Sequence, residues 1–252
     1  MLPVALVASS IARVAAATEP EAPPSAEVPP EAVPSGTKPH GYVVPNAAYD
    51  TDDGFGAGAR AELAWPTDLP GLPYRLSLVA QGYVATSGYQ HHRIRVDATG
   101  LGPAHRGRLT VHLAWRQWLS DRYYGLGDAT TRDAAYVRSY DADDPDRRRY
   151  QYGLFQPFAH VTLRRDVGDT PFQLFGALQP KWTWLRVYPG SLLAEDDPYG
   201  VAGGPTVQAF VGVLHDTRSP EIAPRRGHLA ELSVRGAPDL GGEAGGFGGA
   251  LA

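Results

Sequence analysis

At 252 residues with a net charge of −4, the chain fits one all-β domain and has no general attraction for nucleic acid. It contains no Cys, which excludes a disulfide framework and a thiolate metal site. No apolar run of about 18 residues follows the N-terminal stretch, so no membrane-spanning helix is expected. A mean hydropathy of −0.27 suits a soluble protein and a barrel equally, because a barrel alternates lipid-facing with lumen-facing residues.

Residues 1–17 read as a secretory signal: an apolar stretch ends in Ala15-Ala16-Ala17, although Arg13 interrupts it and no basic residue precedes it. Residues 18–40 are rich in Pro, Glu and Ala, with Pro-Pro at 23–24 and 29–30. Such a segment cannot bury enough apolar surface to offset its ordering entropy and reads as a disordered linker. Residues 41–252 are left as the β domain. Strand character starts near Tyr42, turns over Tyr49 to Gly54, and resumes at Phe55-Gly56-Ala57-Gly58-Ala59.

From there period two dominates. Over 74–86, Leu76, Leu78, Ala80, Gly82 and Val84 share a face. Ile94, Val96 and Ala98 oppose Arg93, Arg95 and Asp97. Over 107–119, Leu109, Val111, Leu113 and Trp115 oppose Arg108, Thr110, His112 and Arg116. Residues 150–165, 171–187, 206–215 and 227–236 read as four further strands, with Trp182 and Trp184 on one face near a strand end, as an interfacial girdle places them. The polar stretch 131–148 and residues 189–205 read as long loops, while the turns near 87–88 and 166–170 are short. That contrast predicts short turns on one side and long loops on the other. The glycine-rich tail 241–252 begins another strand at most. The expectation is an antiparallel transmembrane β-barrel with roughly nine strands, and since closed bacterial barrels have an even number, an incomplete one.

Three segments resemble the BamA/TamA-type outer-membrane barrel family, also called bacterial surface antigens. Pro45 and Tyr49 followed by Gly54, Gly56 and Gly58 are similar to the family's barrel entry. Tyr123-Tyr124-Gly125-Leu126-Gly127-Asp128-Ala129-Thr130, with Tyr124, Gly125, Gly127 and Thr130 as the matching positions, is similar to its Tyr-Gly-x-Gly-x-x-Thr. Asp216 and Arg218 followed by Pro224 and Gly227 are similar to its Asp-x-Arg…Pro-x-x-Gly hairpin. The resemblance covers about residues 42–236. It implies a sixteen-stranded barrel in the outer membrane of a Gram-negative type bacterium, in contact with outer-membrane lipids and lipopolysaccharide, that helps insert or translocate client outer-membrane proteins. Two departures stand out. Residues 18–40 are too few for a periplasmic POTRA domain. Val234-Arg235-Gly236 is followed by Ala237 and not by the aromatic of the family's Val-Arg-Gly-Phe/Tyr loop. The alternative role is a POTRA-less passive pore or surface scaffold.

The remaining candidates are weaker. Asp216 and Arg218, two apart, face one side of a strand and suit a structural ion pair in the lumen. His91 and His92 face opposite ways, which is wrong for shared metal ligation. Asp141, Asp143, Asp144 and Asp146 lack the Gly and distant Glu of an EF-hand and adjoin Arg147-Arg148-Arg149. Arg75, Arg93, Arg95, Arg108 and Arg116 are candidates for one wall of a lumen. With no Gly-x-Ser-x-Gly elbow, phosphate loop or supported carboxylate pair, neither catalysis nor a cofactor or metal is expected.

Overall fold

The computed structural model describes residues 38–51, 53–127, 148–219, 221, 224–240 and 247–251. The expected signal, most of the linker, Thr130, the Asp141–Asp146 acids and Arg147 lie outside the described residues. The rest is all-β. Ten strands run in order as an antiparallel meander: β1 (His40–Asp50), β2 (Gly54–Trp65), β3 (Leu76–Ala85), β4 (Gln90–Leu101), β5 (Gly107–Arg122), β6 (Gln151–Asp166), β7 (Phe172–Val187), β8 (Gly204–Asp216), β9 (Leu229–Ala237) and β10 (Phe247–Leu251). The order is β1 to β10 without crossover, and among the described residues β1 does not pair with β10. Among the described residues the sheet is open, with β1 and β10 at its edges.

Among the described residues the strands number ten, against the roughly nine expected. The tail does contain a strand, and Phe247–Leu251 pairs with β9 in register from Phe247↔Ala237 to Leu251↔Ser233. The stretch 189–205 is also more than a loop, because Leu192–Asp196 forms one short helix, α1. Ser191 caps it by accepting a hydrogen bond from the Ala194 amide at 3.2 Å, as a serine at that position does.

Alternation of strand direction puts the connections after even strands at the rim where β1 begins, here the N-terminal rim. Those after odd strands lie at the opposite rim. This corrects the expected division of loops. The tight turn 86–89 shares the opposite rim with the long connections 123–150 and 188–203, whereas the tight turn 167–171 shares the N-terminal rim with 217–228.

Turn chemistry explains several junctions. Gly88 has φ +86 and closes the β3–β4 hairpin, with its amide donating to the Ala85 carbonyl at 3.0 Å. Gly227 has φ +93, and a Cβ there would run into the Thr217 carbonyl. Around it the 217–228 connection continues the ladder beyond β8 and β9. The Thr217 amide donates to the His228 carbonyl and the Ser219 amide to the Arg226 carbonyl, each at 3.0 Å.

Gly227→Ala therefore meets both a backbone penalty and a clash. It is expected to lower stability by roughly 1–3 kcal/mol, read as a lower urea midpoint of the purified full chain. Gly190→Ala is the comparison, because Gly190 also has positive φ (+77) but would meet nothing within 4 Å. Its cost is expected to be about 1 kcal/mol.

Candidate functional site: the charged concave face

Paired residues in an antiparallel ladder share a face, so the register sorts every side chain. One face carries Leu78, Ile94, Leu113, Val161, Leu178, Ala209 and Val234 at successive strands. The other carries Val79, Arg95, His112, His160, Gln179 and Gln208. The apolar face is the more exposed one. Leu113, Leu174 and Val211 are 48%, 55% and 57% exposed, while Ala114 and Ala177 on the polar face are 8% and 7%. Crowding on the polar side and openness on the apolar side mean that the sheet curls with its polar face inward. This reverses the usual order of a soluble sheet.

The most buried charge lies on that concave face near the N-terminal rim. Asp97 of β4 is fully buried. It accepts hydrogen bonds from Tyr74 Oη at 2.6 Å, Arg95 Nη2 at 3.0 Å and Thr110 Oγ1 at 3.1 Å. Arg108 of β5 binds it through two nitrogens, Nε at 2.9 Å and Nη2 at 2.6 Å. The third Arg108 nitrogen, Nη1, donates to Glu221 in the β8–β9 connection. Strands β6 and β7 separate that connection's first strand, β8, from β5, so the connection leans over the concave face to bring Glu221 there. Tyr74 anchors the β2–β3 connection to the same carboxylate. Burial, followed by its hydrogen bond to Asp97, pushes the Tyr74 hydroxyl up to about 12.

Further along the concave face, the row Arg93–Ala114–Phe158–Lys181 crosses β4 to β7. Above and below it lie His91 and Arg116, and Arg95, His112 and His160. Among the described residues these three rows contain no carboxylate between β3 and β8. His112 meets Phe158 edge to face, with ring centroids 5.5 Å apart, and the Arg116 guanidinium lies 4.6 Å from the same ring's centroid.

The residues singled out from sequence fall in three separate places. Tyr49 is an exposed residue of β1, and Gly54, Gly56 and Gly58 start β2. The Tyr83 hydroxyl lies where a Cβ of Gly56 would stand, so this glycine admits an aromatic side chain from β3. Tyr124, Gly125 and Gly127 follow β5 at the opposite rim. The Tyr124 ring lies 5.2 Å from that of Tyr150, and both glycines have positive φ. Asp216, Arg218, Pro224 and Gly227 belong to the N-terminal rim. Arg218 binds Asp216 through Nε at 2.9 Å, Nη2 at 2.7 Å and its own amide at 3.0 Å, and Pro224 is exposed. Donating to the Asp216 carboxylate keeps the Arg218 guanidinium above its ordinary value. Of the arginines expected along one wall, Arg93, Arg95, Arg108 and Arg116 share the concave face, whereas Arg75 precedes β3 and is exposed. No group of three metal-ligating side chains occurs among the described residues.

Sequence reading missed the Asp97 network and the His112–His160 pairing. The signal for Asp97 was present as a lone acid on an alternating strand otherwise carrying Arg93 and Arg95. Its partners Tyr74 and Arg108 lie 23 and 11 residues away, and the second carboxylate on Arg108, Glu221, is 113 residues from that arginine.

Removing Asp97 takes two of the three carboxylate contacts from the half-buried Arg108 guanidinium and leaves Arg95 without its acid, so Asp97→Ala is expected to cost roughly 3 kcal/mol in urea unfolding. Asp97→Asn keeps an acceptor and is expected to cost less. Tyr74 gives a pH signature. Its hydroxyl ionises near 10 when unfolded and near 12 when folded, so the stability it contributes is complete below pH 10 and is lost as pH rises towards 12. Ultraviolet difference titration of wild type against Tyr74→Phe should isolate one phenol ionising near pH 12.

No protein-family model matches the sequence, and a search of curated proteins finds no significant match.

Proposed function

We propose that this chain is an outer-membrane β-barrel protein of the BamA/TamA type that helps insert or translocate other outer-membrane proteins. The observation that carries the membrane part is the reversal of faces. A sheet that turns its apolar side outward and its charges inward is stable where the outer solvent is hydrocarbon. The dimensions agree. On β3 the apolar face runs from Leu76 to Val84. At about 3.3 Å per residue and a tilt near 40°, this spans roughly 20 Å, against an apolar band of about 25 Å in such barrels.

Aromatic residues border the band. Trp182 and Trp184 both point outward, 43% and 46% exposed, with rings 5.7 Å apart. In this reading the opposite rim faces outward with its long connections, and the N-terminal rim faces the periplasm, the side from which an exported chain inserts. Outer-membrane lipids and lipopolysaccharide are the surroundings, and no catalytic group is assigned. At the opposite rim, Arg149 and Glu195 tie the two long connections together, and the Arg149 hydrogen bond holds the Glu195 carboxyl below its ordinary value.

The assembly role rests on the three motif segments and on the free edge of β1. All eleven residues of β1 are exposed, and among the described residues its backbone is paired on one side only, with β2. An apolar edge of that length can accept another strand through its main-chain hydrogen bonds. The continuous polar wall favours a second reading, a passive pore.

Face identity gives the decisive test. Leu113→Arg places a charge in the outward band and is expected to cost about 2–4 kcal/mol of stability in a bilayer. Gln208→Arg, on the concave face, is expected to be tolerated. The readouts are recovery in the outer-membrane fraction and heat-modifiable gel mobility. A wild-type protein that fractionates as soluble and shows no heat modifiability would sink the membrane reading. Loss of the gene should lower the levels of other outer-membrane barrels. Unchanged levels would leave the passive pore.

A further inference from the structure

We infer that the concave face holds a phosphate-type anion above Ala114. The side chain of Ala114 is small and buried, and larger groups stand around it. Arg93 is its partner on β4 and Phe158 its partner on β6, while His112 and Arg116 are the same-face neighbours two residues away on β5. The result is a cup with an alanine floor, an aromatic wall and two guanidinium groups. Arg116 is already turned to one side of the cup, because its guanidinium lies over the Phe158 ring. Lys181 faces Phe158 from β7 and adds a third cation beyond that ring.

What distinguishes this cup from the rim network is the missing counter-charge. Arg108 and Arg95 are neutralised by Asp97, and Arg60 by Glu62. Among the described residues, Arg93, Arg116 and Lys181 have no hydrogen bond or ion pair to a carboxylate. A second sign comes from His91, the register partner of Arg116. Its Nε2 is buried and has no hydrogen-bond partner among the described residues. Clustered cations without an acid repel one another, and an anion relieves that repulsion. Guanidinium forks match the oxygen spacing of phosphate in a bidentate way, and imidazole N–H groups can supply further donors. Inorganic phosphate or a soluble phosphomonoester fits this donor set. The inference uses only the concave face, so it stands or falls independently of the membrane reading.

Isothermal titration of the purified full chain in zwitterionic detergent micelles, with inorganic phosphate added at constant ionic strength, tests it. Saturable one-to-one binding is expected. Arg93→Gln and Arg116→Gln should each weaken it roughly tenfold, as the loss of one charge-assisted contact does. Arg93→Lys keeps the charge without the fork and should fall between. Arg165→Gln removes an exposed arginine on the opposite face and should change nothing. Circular dichroism checks folding, and should Arg116→Gln unfold through its lost Phe158 contact, Arg93→Gln decides the question. No saturable binding by wild type, or equal weakening in Arg165→Gln, would overturn the inference.

Discussion

Everything in this sheet depends on the register of nine successive ladders. Side chains alternate strictly along a strand, so one slip in any ladder would turn arginines outward and leucines inward for every strand beyond it. The two places where the register does shift show how closely the faces are kept. One bulge lies between Ala98 and Leu101 of β4 and the other between Trp118 and Asp121 of β5. Each changes the pairing by one residue, and each sits past the end of the apolar run Leu109 to Trp115. The parity of the faces is broken only where the chain leaves the band for a rim.

A concave face made of polar side chains carries its own cost, because charges crowded away from bulk water must be paired. The Asp97 network meets that cost at the N-terminal rim. Asp97 has five donor contacts and one charge, which leaves Arg108 with donors to spare. Glu221 supplies the second carboxylate, and it does so from a connection that has to lean across β6 and β7. The Asp216–Arg218 pair and Gly227 give that connection its shape. Arg218 clamps back onto Asp216 at the end of β8, and the positive φ of Gly227 lets the return strand close against Thr217. The sequence motif is thus a structural brace, and the residue it delivers inward is one that the motif itself does not include.

Strand existence and face assignment were legible because both are local. Leu109, Val111, Leu113 and Trp115 announce one face within seven residues, and so do the paired tryptophans of β7. Local pattern also located most boundaries, since Gly54, Gly88 and Gly168 mark turns by their chemistry. What stayed hidden needs two-dimensional information. Whether two loops lie at the same rim follows from counting strand directions, and the side shared by the 86–89 and 123–150 connections emerges only when β3 and β5 are known to run the same way. His112 and His160 become neighbours only through the β5–β6 register. The β10 segment was obscured by composition: Phe247-Gly248-Gly249-Ala250-Leu251 has weak strand propensity, and pairing with β9 overrides it.

The prolines of β6 and β7 limit how uniform the sheet can be. Proline cannot donate to a ladder and belongs at sheet edges, which suits Pro45 in β1. Pro157 and Pro180 instead lie inside central strands. Both still hold register with their outer partners, Pro157 with Trp115 and Pro180 with Val207. Between the two strands, however, pairing runs from Phe155↔Trp184 to Phe158↔Lys181 and then to Val161↔Leu178, skipping both prolines. On the outward face these prolines form the floor of an apolar groove flanked by Trp115 and Trp182. The β6–β7 boundary therefore joins two strands of sixteen residues each through an interrupted ladder. Phe158 and Lys181 keep it in register between the gaps. Across it the Gln156 amide also donates to Thr183 Oγ1 at 3.1 Å. The cup above Ala114 abuts this boundary through Phe158, so its shape depends on a ladder that two prolines interrupt.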